Sequence, residues 1–312
     1  MYLGSVRFYK HLIYLVLLAL IFLIGLGLYK LCSSITMANH DLKYALAQNA
    51  VGTEEAGKIE PIESEGMEGQ VDDSMSISDI LESDYSPLIT YQSLYPDLYT
   101  ELPLLKEREG KIAYLTFDDG PSARTLEILD ILKEENVKAT FFVVTENSDL
   151  ELLERIQREG HTIGVHSNSH RYLQIYSSVD DFLDDFYQAY TKIYDATSVY
   201  PQIFRFPGGS INAHNLGIYQ ELVSEMLRRG FLYYDWNISS QDAVSKVSAG
   251  EIINNVTRNI RGQKQLVILL HDSRDKTETV KALPGIIKFL KEENYTLAPI
   301  DNSVKPIIFS YK

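Results

Sequence analysis

The sequence predicts an α/β fold in which a parallel sheet is covered by helices, and three observations carry that reading. After Gly110, short β-branched or aromatic runs alternate with longer helical patterns, as a chain of βαβ units requires. Seven of the short runs read as strands, one unit fewer than an eightfold barrel, although an open doubly wound sheet gives the same string. Five polar motifs between Thr116 and Asp272 each follow an apolar run, which is where both architectures gather their ligands.

Lys111–Phe117 is apolar and aromatic from Ile112 onward and reads as the first strand, with Thr125–Glu135 as the helix after it. Lys138–Val144, where Phe141, Phe142, Val143 and Val144 are consecutive, is the second strand. Leu150–Glu159 is then a helix and His161–Val165 a strand. Val179–Thr197 is a long helix, Gln202–Arg205 a short strand, His214–Arg229 a helix and Phe231–Tyr234 a strand. Ser248–Arg261, Gln265–Leu270, Thr279–Glu293 and Tyr295–Pro299 complete the series as helix, strand, helix, strand. No internal repeat is apparent.

The N-terminal third is of another kind. Leu12–Tyr29 is an uncharged run that as a helix reaches about 27 Å, close to the hydrocarbon thickness of a bilayer. Residues 12–31 are therefore expected to form a transmembrane helix behind a short cytoplasmic tail at 1–11. Arg7 and Lys10 precede the run and acidic residues follow it, which puts the N-terminus inside and the remainder outside. A cleaved signal peptide is the competing reading, since Thr36-Met37-Ala38 is a passable cleavage site, but the run exceeds the usual apolar core of about 7–15 residues. Cys32, the only cysteine, can make no internal disulfide and reads as incidental. Between Glu54 and Asp84 eleven acidic residues meet one lysine, a composition that cannot bury enough surface to fold. Residues 32–105 thus read as an extracellular linker and lead-in, with Tyr85–Tyr99 packing on the domain at 106–312. That acidic stretch holds −10 of the net −14, so the globular part is mildly acidic and has no basic stripe for nucleic acid.

Asp118 and Asp119 lie in Thr116-Phe117-Asp118-Asp119-Gly120-Pro121, a tight turn in which the two carboxylates must point in different directions. One can bind a cation while the other faces a water; alone, the motif reads first as an ordinary acidic turn. His166 and His170, four apart in His166-Ser167-Asn168-Ser169-His170, would share one face of a helical turn and can hold a metal. Two imidazoles with the Asp119 carboxylate leave an open coordination position, as catalytic divalent sites do, and Ser167 can orient a ligand. Arg205 opens Arg205-Phe206-Pro207-Gly208-Gly209, where a guanidinium can pair with a carboxylate and the glycine turn can expose N–H groups to an oxyanion. His271, in Leu269-Leu270-His271-Asp272, is a candidate general acid if an acidic neighbour keeps it protonated, with Asp242 the favoured one. His11, His40, His161 and His214 read as structural or surface residues.

Taken in this order and spacing, the residues resemble the polysaccharide deacetylase family, carbohydrate esterase family 4 with its NodB homology domain, over about Lys106–Tyr311. The resemblance implies a distorted (β/α) barrel with about seven parallel strands. It implies Asp118 as catalytic base, oriented by Arg205; Asp119, His166 and His170 as ligands of a divalent metal; and His271 as acid, kept charged by Asp242. Gly208 would offer its N–H to the oxyanion, and Trp236 with Leu269 would wall the pocket for the acetyl methyl. Zinc is the first expectation for the metal, with cobalt, nickel and manganese as alternatives.

Two departures from the family pattern bear on the substrate. After Trp236 the family often has Asp-Ser-x-Asp-Trp, whereas here Ser239 stands for the first acid, Asp242 for the second and Ala243 for the later aromatic. Gly208 stands where many members carry Tyr or Phe. Both changes are expected to open the groove. The resemblance and the expected topology together imply an extracellular N-deacetylase of a cell-wall or surface glycan, peptidoglycan first. The alternatives are chitooligosaccharides, O-acetylated glycans, or a glycan-binding homologue without catalysis.

Overall fold

The computed structural model describes residues 90–310 except Ser245 and Arg261. The expected cytoplasmic tail, the transmembrane helix and most of the acidic linker lie outside the described residues. Among the described ones, no helix is long and apolar enough to cross a membrane.

In chain order the elements begin with β1 (Ile112–Asp118), α1 (Ala123–Glu134), β2 (Thr140–Val144), α2 (Glu151–Arg158) and β3 (Thr162–Ser167). They continue with α3 (Tyr172–Ile175), α4 (Val179–Thr197), β4 (Ile203–Phe204), α5 (Tyr219–Arg228) and β5 (Leu232–Tyr233). Last come β6 (Ile238–Ser239), α6 (Ala249–Asn259), β7 (Gln265–His271), α7 (Thr277–Glu292) and β8 (Thr296–Leu297). The strands form one parallel sheet in the order β5-β4-β3-β2-β1-β7-β6, with β8 pairing the start of β1 at Ile112 and Ala113. The eighth strand, absent from the sequence expectation, is β6; two residues are too short to register as an apolar run.

The sheet is strongly curled. Two strands separate β1 from β4, which in a flat sheet would put them about 14 Å apart. Yet Arg205, the residue after β4, donates to Thr116 Oγ1 on β1 at 2.7 Å. The end strands β5 and β6 are not paired with each other, so the curl is a distorted (β/α) barrel left open at that seam.

Alternation along the strands then decides what faces inward. Ala113, Leu115 and Phe117 of β1 join the core under the helices, with Phe141 and Val143 of β2 and Leu266, Ile268 and Leu270 of β7. Their neighbours Tyr114, Phe142, Ile203 and Val267 fill the interior with Tyr234 and with Ile300 and Val304 from the C-terminal segment. That apolar plug occupies the amino end of the interior. By the same period, Asp118, His166, Arg205 and His271 face the interior at the carboxyl ends.

The covering helices form where caps and periodicity agree. Ser122 caps α1 in a reciprocal box with Thr125, and Ser248 does the same for α6 with Glu251. In α7 the buried positions Thr279, Ala282, Leu283, Ile286, Ile287 and Leu290 make one continuous stripe. α5 starts at Tyr219 and not at His214, because Asn212 and Asn215 bond to each other, Asn215 also donates to the Ser210 carbonyl and Asn212 to those of Pro207 and Gly209, which holds the preceding residues in turns. Where it is described, the lead-in packs on the domain as expected: Leu98 is fully buried, and the buried Arg229 donates to the carbonyls of Tyr91, Leu94, Tyr95 and Leu98.

Candidate active site

Asp118 ends β1, and its register partner on β7 is His271. Both side chains therefore enter the same end of the barrel from neighbouring strands. Arg205 is fully buried and reaches Asp118 from the opposite side, donating from Nη1 to Asp118 Oδ1 at 2.8 Å. Its other bonds run to Thr116 Oγ1 and to the carbonyls of Tyr234 and Asp235, and the Phe142 ring lies 4.2 Å from its Cζ. A guanidinium so fully engaged fixes the Asp118 carboxylate and leaves Oδ2 as its free oxygen. Burial raises the pKa of Asp118 above the usual carboxylate value, with Arg205 and His271 opposing it.

Asp119 turns away from Asp118, its backbone at φ 76°. Its Oδ1 lies 3.5 Å from His166 Nε2 and 3.2 Å from His170 Nε2. The sequence suggested a helical turn for these histidines. Instead, His166 is on β3 and His170 follows a loop in which its own φ is 57°. What bends the loop is Asp185 on α4, whose buried carboxylate accepts from Ser167 Oγ and from the N–H groups of Asn168 and Ser169. Ser167 Oγ in turn accepts from His170 N at 2.8 Å, so the serine expected to orient a ligand does so through the backbone.

The three side chains meet the physical requirements of a cation site. Their ligand atoms all lie within 4.8 Å of one another. His166 Nδ1 donates to the Arg205 carbonyl at 2.8 Å, which leaves the Nε2 lone pair facing Asp119. Burial, with His170 next, lowers the His166 pKa to about 3, so this ring is neutral. Asp119 Oδ1 is buried without any hydrogen-bond donor. A carboxylate oxygen turned toward a ring lone pair in a dry site is repulsive unless a cation stands between them. Ligands about 2.1 Å from a tetrahedral centre are about 3.4 Å apart, which the two Asp119–imidazole spacings fit.

His271 donates from Nδ1 to Asp242 Oδ1 at 2.7 Å and from its backbone N–H to Asp242 Oδ2 at 2.8 Å. Thr279 Oγ1 holds the same Oδ2. Burial works to lower the His271 pKa, but the Asp242 bond and the charges of Asp242 and Asp118 outweigh it and push it up to about 9. The ring is thus a charged donor with Nε2 free.

The Gly208 N–H has no hydrogen-bond partner among the described residues, while the next turn bond, Gly209 N to Phe206 O, is 2.8 Å. Gly208 takes φ 75°, a conformation that suits glycine, and is exposed. Trp236 is half-buried with its ring 5.7 Å from Arg205 Cζ, and Leu269 faces inward between Val267 and His271 on β7. All ten residues singled out from the sequence therefore lie at or beside the carboxyl end of the barrel.

Sequence reasoning gave no role to three buried carboxylates. Asp185 is described above; its signal is an acid in the buried stripe of α4, between Phe182 and Phe186. Asp235 accepts from Ser210 N and Oγ and from Phe309 N, tying the glycine turn to the C-terminal segment. Asp272 stands beneath the Asp119-Gly120 turn, bonded to Thr125. The sequence also led to an open groove at Gly208. Gly208 is exposed, but a Cβ there would lie 2.8 Å from the Tyr172 ring, so this ring takes part of the space left by the missing side chain.

The comparisons with known proteins agree with this geometry. The family model for polysaccharide deacetylase matches residues 105–227. The chain is 32% identical to the putative polysaccharide deacetylase YheN of Bacillus subtilis, over 68% of this chain and 75% of that protein. It is 35% identical to a peptidoglycan-N-acetylglucosamine deacetylase of Bacillus cereus, over 60% of this chain and 68% of that one. In structure it superimposes on the catalytic domain of a peptidoglycan N-acetylglucosamine deacetylase from Eubacterium rectale with a TM-score of 0.64, at 37% identity, covering 67% of this chain and 96% of that domain. Motifs, barrel and relatives converge, and the chain belongs to the polysaccharide deacetylase family as a polysaccharide N-deacetylase.

Proposed function

We propose that this chain is a metal-dependent hydrolase that removes N-acetyl groups from the amino sugars of peptidoglycan. The observation that carries the reading is the pairing of Asp118 and His271 across β1 and β7, the one fixed by Arg205 and the other charged by Asp242, beside the Asp119, His166 and His170 cluster. A divalent cation held by those three, zinc first, supplies a Lewis acid for the acetyl carbonyl and lowers the pKa of a water.

The chain's own residues do the rest. Asp118 Oδ2 takes a proton from the attacking water as its oxygen bonds to the acetyl carbon. The Gly208 N–H stabilises the negative oxygen of the tetrahedral intermediate, a contact worth about 3 kcal/mol for one donor. His271 Nε2 gives its proton to the sugar nitrogen as the C–N bond breaks, yielding acetate and a free amine. Trp236 and Leu269 enclose the methyl. The uncharged apolar run Leu12–Tyr29 and the acidic stretch after it, as read from the sequence, support a domain that works on the wall outside the membrane. The relatives named above, two of them peptidoglycan-N-acetylglucosamine deacetylases, support the choice of peptidoglycan.

The test is acetate release from peptidoglycan fragments, chitooligosaccharides and acetylated xylan, with and without chelator, and the lost acetyl located by mass. Chelator-sensitive release from N-acetylated muropeptides is expected. A metal-loaded protein inert on every N-acetylated glycan overturns the reading.

A further inference from the structure

Tyr172 opens the short helix α3, two residues after His170, and the sequence gave it no role. Its ring stands edge-on to His170, with centroids 5.2 Å apart, and on its other side meets the exposed His214 at 5.1 Å. A row of three rings thus leads from a candidate metal ligand to the surface. The same ring lies beside the glycine turn: an added Cβ at Gly208 would lie 2.8 Å from Tyr172 Cε1 and 3.1 Å from its hydroxyl oxygen. The phenol is therefore within reach of the peptide whose N–H is free for the oxyanion. The side chain is half-buried, and its hydroxyl has no hydrogen-bond partner among the described residues. A hydroxyl free of protein partners and an aromatic ring at one spot are what a sugar ring needs for recognition, one polar contact beside a stacking surface.

We propose that Tyr172 is a substrate-binding residue, which contacts the N-acetylated sugar between His170 and Gly208 and hydrogen-bonds it through the phenol hydroxyl. Gly208 and Tyr172 act as a pair: the glycine leaves the space, and the tyrosine fills it from another segment. The inference rests on the deacetylase reading and deepens it, because it places the glycan on the wall formed by α3 and the glycine turn.

Two measurements separate the outcomes. Acetate-release kinetics on the pentamer of N-acetylglucosamine should show KM raised about tenfold in Tyr172→Ala and about threefold in Tyr172→Phe, with kcat within about twofold of wild type. Calorimetric affinity for the same pentamer, measured in an Asp118→Asn background that removes turnover, should fall by matching factors. An unchanged thermal midpoint and cobalt absorption spectrum show that fold and metal cluster are intact. Unchanged KM and affinity in both variants overturn the proposal. So does a loss confined to kcat, which would mean that Tyr172 acts only through His170. If wild type releases no acetate from any glycan, the functional reading fails, while the affinity comparison still decides Tyr172; absence of binding with or without the tyrosine counts against it.

Discussion

Gly120 has no room for a side chain, because the Asp272 carboxylate lies where its Cβ would be: the added atom would stand 2.0 Å from Oδ2 and 2.5 Å from Oδ1. The turn that presents Asp119 is thus packed directly on a buried acid. Gly120→Ala should destabilise the domain by about 1–3 kcal/mol, as overpacked sites do. It should also weaken metal binding by moving Asp119. Thermal denaturation and cobalt titration of the variant check this, and Gly120→Ala with Asp272→Ala should recover part of the lost stability by vacating the space.

Asp118→Asn retains the size of the side chain and a partner for Arg205 but cannot take a proton. The expected result is a kcat reduced by about 10²–10⁴, with metal content and fold unchanged. Kinetics with a metal assay on the same preparation test it, and a variant at full rate would remove Asp118 as base.

Asp185 touches no candidate ligand, yet it fixes the loop between two of them. Asp185→Ala should lower metal affinity by about 10–100-fold, the usual effect of losing an orienting partner. Asp185→Asn, which can still accept from the loop N–H groups, should lose less. Competition against a chromophoric chelator gives the affinities directly.

His271 should set the alkaline limit of activity. Its folded pKa is about 9, above the ordinary 6.5, so the ring is charged below that value and activity should decline as pH rises through it. The stability contributed by the pair with Asp242 has the same sign: it is fully present below pH 6.5 and is lost as pH rises through about 9. Asp242→Asn should move the alkaline limb of the rate profile toward 6.5. A limb that stays in place would mean that another group titrates there.

Strand runs and motifs were legible because a buried parallel strand writes itself as a continuous apolar run, and the catalytic groups sit where those runs stop. The charge of Arg205 called for a carboxylate partner, but only the family resemblance gave Asp118 as that partner; Asp242 was favoured as the acid beside His271. β6 was not legible, since its two residues carry no period, and neither was the bend at His170, which depends on a carboxylate fifteen residues further on in α4. The filling of the space over Gly208 was hidden for a similar reason. A glycine in sequence shows only the absence of a side chain, while Tyr172 comes to it from another segment.

The apolar plug has a consequence for truncation of the chain. Ile300 and Val304 fill the amino end of the interior, Tyr234 donates to the Val304 carbonyl, and Phe309 binds Asp235 next to the glycine turn. Without residues 300–309 the interior side chains Tyr114, Phe142, Ile203 and Val267 would lose the cover of Ile300 and Val304. A purified chain truncated before residue 300 should be cut faster by protease than the full chain, which limited proteolysis of the two proteins checks.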